Sequence, residues 1–529
     1  MTLLLVLFAA TIAIGPLAER VKLPYPVLLL IFGLLVALIP GLPLPDVDPE
    51  LILPLVLPPL LFAAARRTSW REFYENRRAI GLLAIALVAV TAAVIGFVLQ
   101  AMVPGLPIMA ALALGAMVAP PDPVAATSVA RELRLPRRLK TILEGEGLSN
   151  DATSLVLYEV AVSSVVTGAF SPWHAAGELV LAVVLGVAIG LVVAYLTRHL
   201  MRRLPAHPAG TGLLLLVPFV AYVAADAAHG SGVLAVVTLA LALSRHADTS
   251  SAQARLVSGT TWEIIELLVT GAAFAFVGLE LRAVARDVSG GLGTLIFQAT
   301  VVAVLLIVLR IAWIFPVSML DEKVRKRRNP DAEPVGWKER AIASWAGMRG
   351  VVTAAAALAL PTADEGFPER DRLIFIAFFA VIVTMLLQGL TLPLLVQRLD
   401  VHASRQDERA TERDLNQRAR RAGLDRLEEI RKSGDIESEL VDKVRDTADA
   451  MWQKVAQPGD AEESTRERLR HAWKVEELEA EMLTAARQSV VSARDERGGD
   501  PIVADRVLHR LDSHSAHSRD IPDPAELDE

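Results

Sequence analysis

Between Thr2 and about Leu399 the chain returns repeatedly to apolar stretches long enough to cross a bilayer as helices, and this recurrence constrains its fold more than any other feature. About 20 mostly apolar residues span the hydrocarbon as a helix, and there every backbone N–H and C=O must be satisfied within the segment. With 53% hydrophobic and only 21% charged residues among 529, the chain carries more apolar surface than one or two water-soluble cores would bury. The expected fold class is an all-α polytopic membrane protein.

Cutting the chain at its polar loops gives thirteen candidate spans: 2–18, 24–40, 50–65, 79–103, 108–130, 141–169, 174–197, 210–228, 231–244, 263–281, 291–319, 340–360 and 373–397. The pattern stops at residue 399, so two domains are expected, a transmembrane domain over 1–399 and a water-exposed tail over 400–529. From residue 401 onward there are 22 Lys and Arg against 31 Asp and Glu, so the tail is acidic, within a chain whose net charge is −7. Cysteine is absent, which excludes disulfides and thiolate metal sites. The first segment has no basic stretch before it and no small-residue cleavage site after it, and reads as a retained span.

Loop charge supplies orientation. Arg66, Arg67, Arg71, Arg77 and Arg78 follow the third span, Arg131, Arg134, Arg137, Arg138 and Lys140 the fifth, and Lys323, Arg325, Lys326, Arg327 and Arg328 the eleventh. Loops 41–49, 104–107 and 170–173 have no Lys or Arg, whereas loop 282–290, with Arg282 and Arg286, fits the alternation less well. By the positive-inside rule the N-terminus is expected outside and the tail in the cytoplasm, in a multi-pass protein of the inner membrane.

An ionisable residue at mid-membrane costs at least ~2.5–3.5 kcal/mol on insertion scales, so each one calls for a reason. In the fifth span Pro120, Pro121 and Pro123 surround Asp122. A proline lacks the amide hydrogen that a helix directs at the carbonyl four residues back, so these three free the carbonyls of Ala116, Met117 and Ala119. Free carbonyl oxygens beside a carboxylate suit a sodium-like ion, and broken helices at mid-membrane are a common way to build such sites. The blander reading is a kinked helix in which Asp122 caps a second half-helix.

The sixth span carries Glu146, Gly147, Asn150 and Asp151. On a helix Glu146 and Asn150 share a face and Asp151 is turned about 100° from Asn150, while Gly147, Ser154 and Tyr158 line the Asp151 stripe. Desolvation favours the protonated form of such a carboxyl, and a bound cation or nearby donors favour the ionised form. A group that takes a proton or a cation, and not both, is the minimum machinery for exchange. Glu159 is expected near the outer end and solvated.

In the twelfth span Arg349 lies between Gly347 and Gly350 by way of Met348, and the eleventh contains Arg310. A guanidinium keeps its proton, so each needs an acidic or carbonyl partner. Glu146 is the natural partner of one of them, and the sequence leaves open which. The interrupted spans are seven apart, an odd offset that suits inverted repeats.

Three segments, Pro120-Pro121-Asp122-Pro123-Val124-Ala125-Ala126, Glu146-Gly147-Leu148-Ser149-Asn150-Asp151 and Gly347-Met348-Arg349-Gly350, resemble the bacterial branch of the monovalent cation:proton antiporter-1 family, the sodium/proton exchangers, with matching order over about 1–398. The resemblance implies a homodimer, two crossing broken helices, a core that slides against a dimerisation domain, and electroneutral exchange. It also implies that Asp151 is the shared cation and proton site (Na+ at Asp151 and Asp122), that Asn150 orients Asp151 and Asp122 supports it, and that Glu146 pairs with an arginine. Ser154, Gly147 and Pro121 are supporting candidates. Many relatives have Thr before the acid of the broken helix, where this chain has Pro121, so a hydroxyl ligand is lost.

In the tail, Leu415, Leu424, Leu427, Ile430, Leu440, Val444, Met451, Trp452, Trp473, Leu478 and Met482 fall at helical spacing. Breaks stand at Pro458-Gly459 and Gly498-Gly499, and a disordered acidic end is expected after Leu511. His402, His471, His509, His514 and His517 are candidates for a pH sensor, or plain surface residues. The expected partners are the bilayer and a second copy, with no nucleic acid, no cofactor beyond the transported ions, and an unknown regulatory ligand at most on the tail. The competing classes are a gated cation channel, which needs a continuous pore lined by selectivity groups, and a membrane enzyme, for which the spans offer no metal cluster or nucleophile–base pair.

Overall fold

The computed structural model describes residues 2–21, 23–39, 49–67, 74–122, 135–168, 172–203, 208–244, 252–287, 291–328, 336–362, 366–402, 405–433 and 444–445. Pro123 to Ala126, the loop arginines Arg71, Arg131 and Arg134, and the tail positions Leu440, Met451, Trp452, Trp473, Leu478 and Met482 lie outside these residues. So do both tail breaks, His471, His509, His514, His517 and the acidic end. The chain divides into two compact units, Met1–Ala403 and Ser404–Glu529.

Among the described residues the regular structure is helical. In the first unit the helices are α1 (Thr2–Val21), α2 (Tyr25–Ala37), α3 (Pro49–Arg67), α4 (Arg77–Met102), α5 (Ile108–Val118), α6 (Arg137–Thr167), α7 (Pro172–Met201), α8 (Pro208–Ala227), α9 (Gly232–Ser244), α10 (Ala252–Asp287), α11 (Leu292–Arg328), α12 (Trp337–Trp345), α13 (Val351–Leu358) and α14 (Arg370–Leu399). Among the described residues six helices are long and apolar enough to cross a membrane, and five shorter ones are apolar along 10–17 residues. Val180, Leu181, Val184, Leu191, Val192 and Leu196 on α7 stand exposed, a surface that suits lipid rather than water.

Punctuation in the sequence explains the helix ends. Pro24, Pro107 and Pro136 immediately precede α2, α5 and α6, where a missing amide hydrogen costs nothing. Gly168, with φ 69°, closes α6 in the left-handed conformation that glycine adopts freely. α5 stops at Val118 because Pro120 and Pro121 can neither donate nor let their predecessors stay helical. Residues Ala346 to Gly350 separate α12 from α13 without helical structure. Within α4 a π-helical turn spans Leu82–Leu87, and the indole N–H of Trp313 on α11 donates to the Leu82 carbonyl at 3.2 Å.

Among the described residues two large apolar cores, and a small third of Leu83, Leu87 and Ile314, fill the first unit. One gathers Leu29, Ile95, Leu114, Phe274, Leu306 and Phe378 from α2, α4, α5, α10, α11 and α14. The other gathers Phe62, Ala221, Val236 and Trp262 from α3, α8, α9 and α10, with Phe62 and Trp262 rings 4.8 Å apart. α6 gives Leu143, Tyr158 and Ala161 to the first and Leu148 and Ala152 to the second, so its polar segment lies at the seam. Since lipid is as apolar as leucine, close backbone approach does much of the packing. Gly278 of α10 shows it: a Cβ there would fall on the carbonyl of Leu30 and 2.8 Å from the Leu34 nitrogen.

The second unit contains α15 (Arg405–Ser433), which carries the surface pairs Arg426–Glu429 at 2.7 Å and Arg431–Glu428 at 2.8 Å. Glu428 sits below the usual carboxylate range because Arg431 donates to it.

Candidate cation and proton site

The two interrupted segments meet. The peptide N–H of Asp122 donates to the Met348 carbonyl at 2.7 Å, which fastens the end of the α5 segment to the gap between α12 and α13. Around this joint backbone carbonyls of the α5 segment accept from side chains. The Ala116 carbonyl accepts from the Ser154 hydroxyl at 2.8 Å, and the Pro121 carbonyl from the Asn150 amide nitrogen at 3.1 Å. α6 thus reaches across to the broken segment twice.

Arg349 takes three further carbonyls. Its Nε donates to Val118 O at 2.9 Å and its Nη2 to Ala119 O at 3.1 Å, while Nη1 donates to the Gly347 carbonyl. A guanidinium at the exposed carbonyls of α5 complements the negative end of that helix. Its backbone N–H donates to the Thr384 hydroxyl of α14 at 3.1 Å, and that hydroxyl donates in turn to Ala380 O.

The opposite charge faces the start of α13. Gly350 precedes that helix, and a Cβ added to it would overlap the carboxyl of Asp122. A carboxylate near a helix N-terminus is favoured, and only glycine leaves it room at this distance. The joint therefore pairs an acid with one helix start and a base with one helix end.

Arg310 answers the question the sequence left open. It binds Glu146 through both nitrogens, Nη1 to Oε1 at 2.5 Å and Nη2 to Oε2 at 2.9 Å, and its Nε donates to Ala343 O at 3.2 Å. Both side chains are buried, at 2% and 1% exposure. Two parallel bonds are the strong, directional form of this pair. A Cβ at Gly347 would meet Arg310 Cδ and lie 3.1 Å from Arg349 Nη1, so this glycine lets the two guanidiniums pass.

Asp151 is 1% exposed and its Oδ2 has no hydrogen-bond partner among the described residues. Asn150 is fully buried, and with its Nδ2 on Pro121 its Oδ1 has no partner among the described residues. The charge of Asp122 bears directly on Asp151. The bond of Asn150 to Pro121 O sets this part of α6 against the end of the α5 segment, and Asp151 is the next residue on α6. Gly147 is buried on the same stripe of α6, Tyr158 is buried with its hydroxyl unpartnered, and Glu159 is exposed.

The sequence reading passed over α14. Thr384, which receives the backbone of Arg349, Thr391, which accepts from Trp345 Nε1 at 2.8 Å, and Gln388 between them are uncharged polar residues in an apolar span. Their spacing on one helix face was the available signal.

Residues 6–398 match the family described as sodium/hydrogen exchanger, transmembrane. An uncharacterised Na+/H+ exchanger of Mycobacterium bovis is 32% identical over 540 residues, covering 100% of this chain and 97% of the relative. A sodium, potassium, lithium and rubidium/H+ antiporter of Bacillus pumilus is 32% identical over 395 residues, covering 72% of this chain and 58% of that protein. Among solved structures, the sodium proton antiporter MjNhaP1 of Methanocaldococcus jannaschii superposes with a TM-score of 0.58 at 18% identity, over 75% of this chain and 98% of that one, a likeness of fold.

Proposed function

The chain belongs to the sodium/hydrogen exchanger family, and from that premise we propose that it is a secondary antiporter that exchanges Na+ for H+ at Asp151. The observation that carries this reading is the pair of buried, unpartnered oxygens, Asp151 Oδ2 and Asn150 Oδ1, beside Asp122 at the junction of two interrupted segments. When the carboxyl is ionised it draws a cation to those oxygens, and when it is protonated the attraction is lost. One cation therefore replaces one proton, and exchange is electroneutral.

Each neighbour has a role in that competition. Asn150 is anchored on Pro121 O and so fixes the next residue, Asp151, against the broken segment. Asp122 adds negative charge that favours cation entry. Ser154 spends its hydrogen on Ala116 and keeps its oxygen lone pairs, and the Pro121 carbonyl retains one, so both can complete the cation's shell beside Gly147. Glu146 and Arg310 neutralise one another and hold α6 to α11.

The setting proposed with it is the inner membrane, with thirteen spans in inverted repeats, the N-terminus outside, the tail cytoplasmic, and a homodimer as the working unit. The apolar helices and the exposed face of α7 support the bilayer. A wider cation range, with K+ and Li+ as further substrates, is the second reading, favoured by the stated range of the Bacillus pumilus relative.

Everted vesicles with Na+, K+ and Li+ added separately test both readings. Each transported cation should collapse a preset pH gradient. Raising the pH removes the competing proton, so the half-saturating Na+ concentration should fall, by about tenfold per unit where proton competition dominates. Asp151→Ala should abolish the response in a protein that still folds. Wild-type rates in that variant, or ohmic single-channel currents in the wild type, would overturn the proposal.

A further inference from the structure

One buried side chain beside the junction has polar atoms with nothing to bond. Gln388 on α14 is 0% exposed, and neither its Oε1 nor its Nε2 has a partner among the described residues. A primary amide buried with both ends unsatisfied is costly, and native interiors supply such groups with protein or water partners.

Its position says where the partner comes from. Thr384, Gln388 and Thr391 stand four and then three residues apart, on one face of α14. The two threonines both engage the segment at the break: Thr384 Oγ1 accepts from the Arg349 N–H at 3.1 Å, and Thr391 Oγ1 from Trp345 Nε1 at 2.8 Å. A Cβ on Gly389, the next residue, would lie 3.4 Å from the Met348 sulfur. The unwound stretch from Trp345 to Arg349 therefore runs along α14 from Thr391 toward Thr384, and Gln388 lies between the two positions of α14 that contact this stretch. The middle of the stretch, Ala346 to Met348, is what joins the breaks, because Met348 O receives the Asp122 N–H.

We propose that Gln388 is a positioning residue for cation binding, acting through the unwound segment: its carboxamide bonds the backbone of Ala346 to Met348, directly or through one buried water, in the arrangement that binds the cation. Losing those bonds would leave Met348 free to shift and carry Asp122 with it. The inference rests on the exchanger reading given above.

Gln388→Met tests it. Methionine has nearly the same length and no polar group to satisfy, so a Gln388 that only fills space would be replaced at no cost to transport. The expected result is a folded protein that unfolds in detergent somewhat below the wild-type temperature, because backbone groups of 346–348 lose their partner, with a half-saturating Na+ raised about tenfold and a pH profile displaced toward alkaline values. Gln388→Asn, with a water bridging the missing methylene, should recover part of that shift. Unchanged Na+ half-saturation and pH profile in Gln388→Met would overturn the proposal. Should that variant not fold, a high-resolution map of the wild-type protein decides. Density from water or from the backbone of 346–348 within hydrogen-bond distance of both carboxamide ends supports it, and a carboxamide enclosed by carbon alone overturns it. Absence of exchange by the wild type would sink the exchanger reading, whereas a wild-type-like Gln388→Met beside an inactive Asp151→Ala would sink this inference alone.

Discussion

Glu146 on α6 grips Arg310 on α11 with both carboxylate oxygens, and Arg310 extends its Nε to the carbonyl of Ala343 on α12. Through this one guanidinium the helix that carries Asp151 is fastened to the helix that leads into the second break. Glu146 lies five residues from Asp151, and its charge is committed to Arg310.

That commitment predicts an asymmetry between single and double substitutions. Glu146→Ala leaves Arg310 charged and buried, and should cost about 3–5 kcal/mol. Replacing both partners, Glu146→Leu with Arg310→Met, removes the uncompensated charge and should restore most of that stability. Thermal unfolding in detergent reads both. A double variant no more stable than the single would show that the pair does more than neutralise itself.

The contact of Asp122 with Gly350 predicts a steric effect out of proportion to one methyl group. Gly350→Ala places a Cβ on the Asp122 carboxyl, so either the acid or the segment must move. Overpacking of this kind costs about 1–3 kcal/mol, and exchange should fall further than stability because the displaced group belongs to the proposed cation site. Gly15→Ala in α1 is the control: no atom lies within 4 Å of its added Cβ, and both measurements should stay near wild type. Equal losses in the two variants would remove any special role from the Gly350 contact.

How much of this was legible in the sequence follows from what each signal depends on. The end of α5 was readable because a proline leaves out a helix hydrogen bond: Pro120 and Pro121 mark where α5 stops, although Pro58 and Pro59 lie inside α3, so it was the acid beside them that singled this pair out. The freed carbonyls were readable for the same reason, and their acceptance of Ser154 and Arg349 agrees with that reasoning. The partner of Glu146 was not readable, because Arg310 and Arg349 are both buried cations and only tertiary packing separates them. Thr384 and Gln388 escaped for a different reason. An uncharged polar residue in an apolar span is cheap enough to be commonplace, so its importance depends on what packs against it.

Arg349 provides the sharpest test of the joint itself. Its three nitrogens hold carbonyls from two separate segments, Val118 and Ala119 at the end of α5 and Gly347 in the second break. A planar fork can do this because its donors point in fixed and different directions, whereas a lysine ammonium is a single point charge. Arg349→Lys therefore keeps the charge that complements the α5 carbonyls and loses the geometry that sets one break against the other. If charge alone mattered, the lysine variant would transport as well as the wild type. The expected outcome is a folded protein, stabilised less by about 1–3 kcal/mol through its unpaired carbonyls, with maximal exchange reduced at least about tenfold. Vesicle exchange rates at saturating Na+, set beside detergent unfolding temperatures, separate the two effects. Full-rate exchange by Arg349→Lys would mean that the breaks are held in register by the Asp122–Met348 bond and the α14 contacts without the fork.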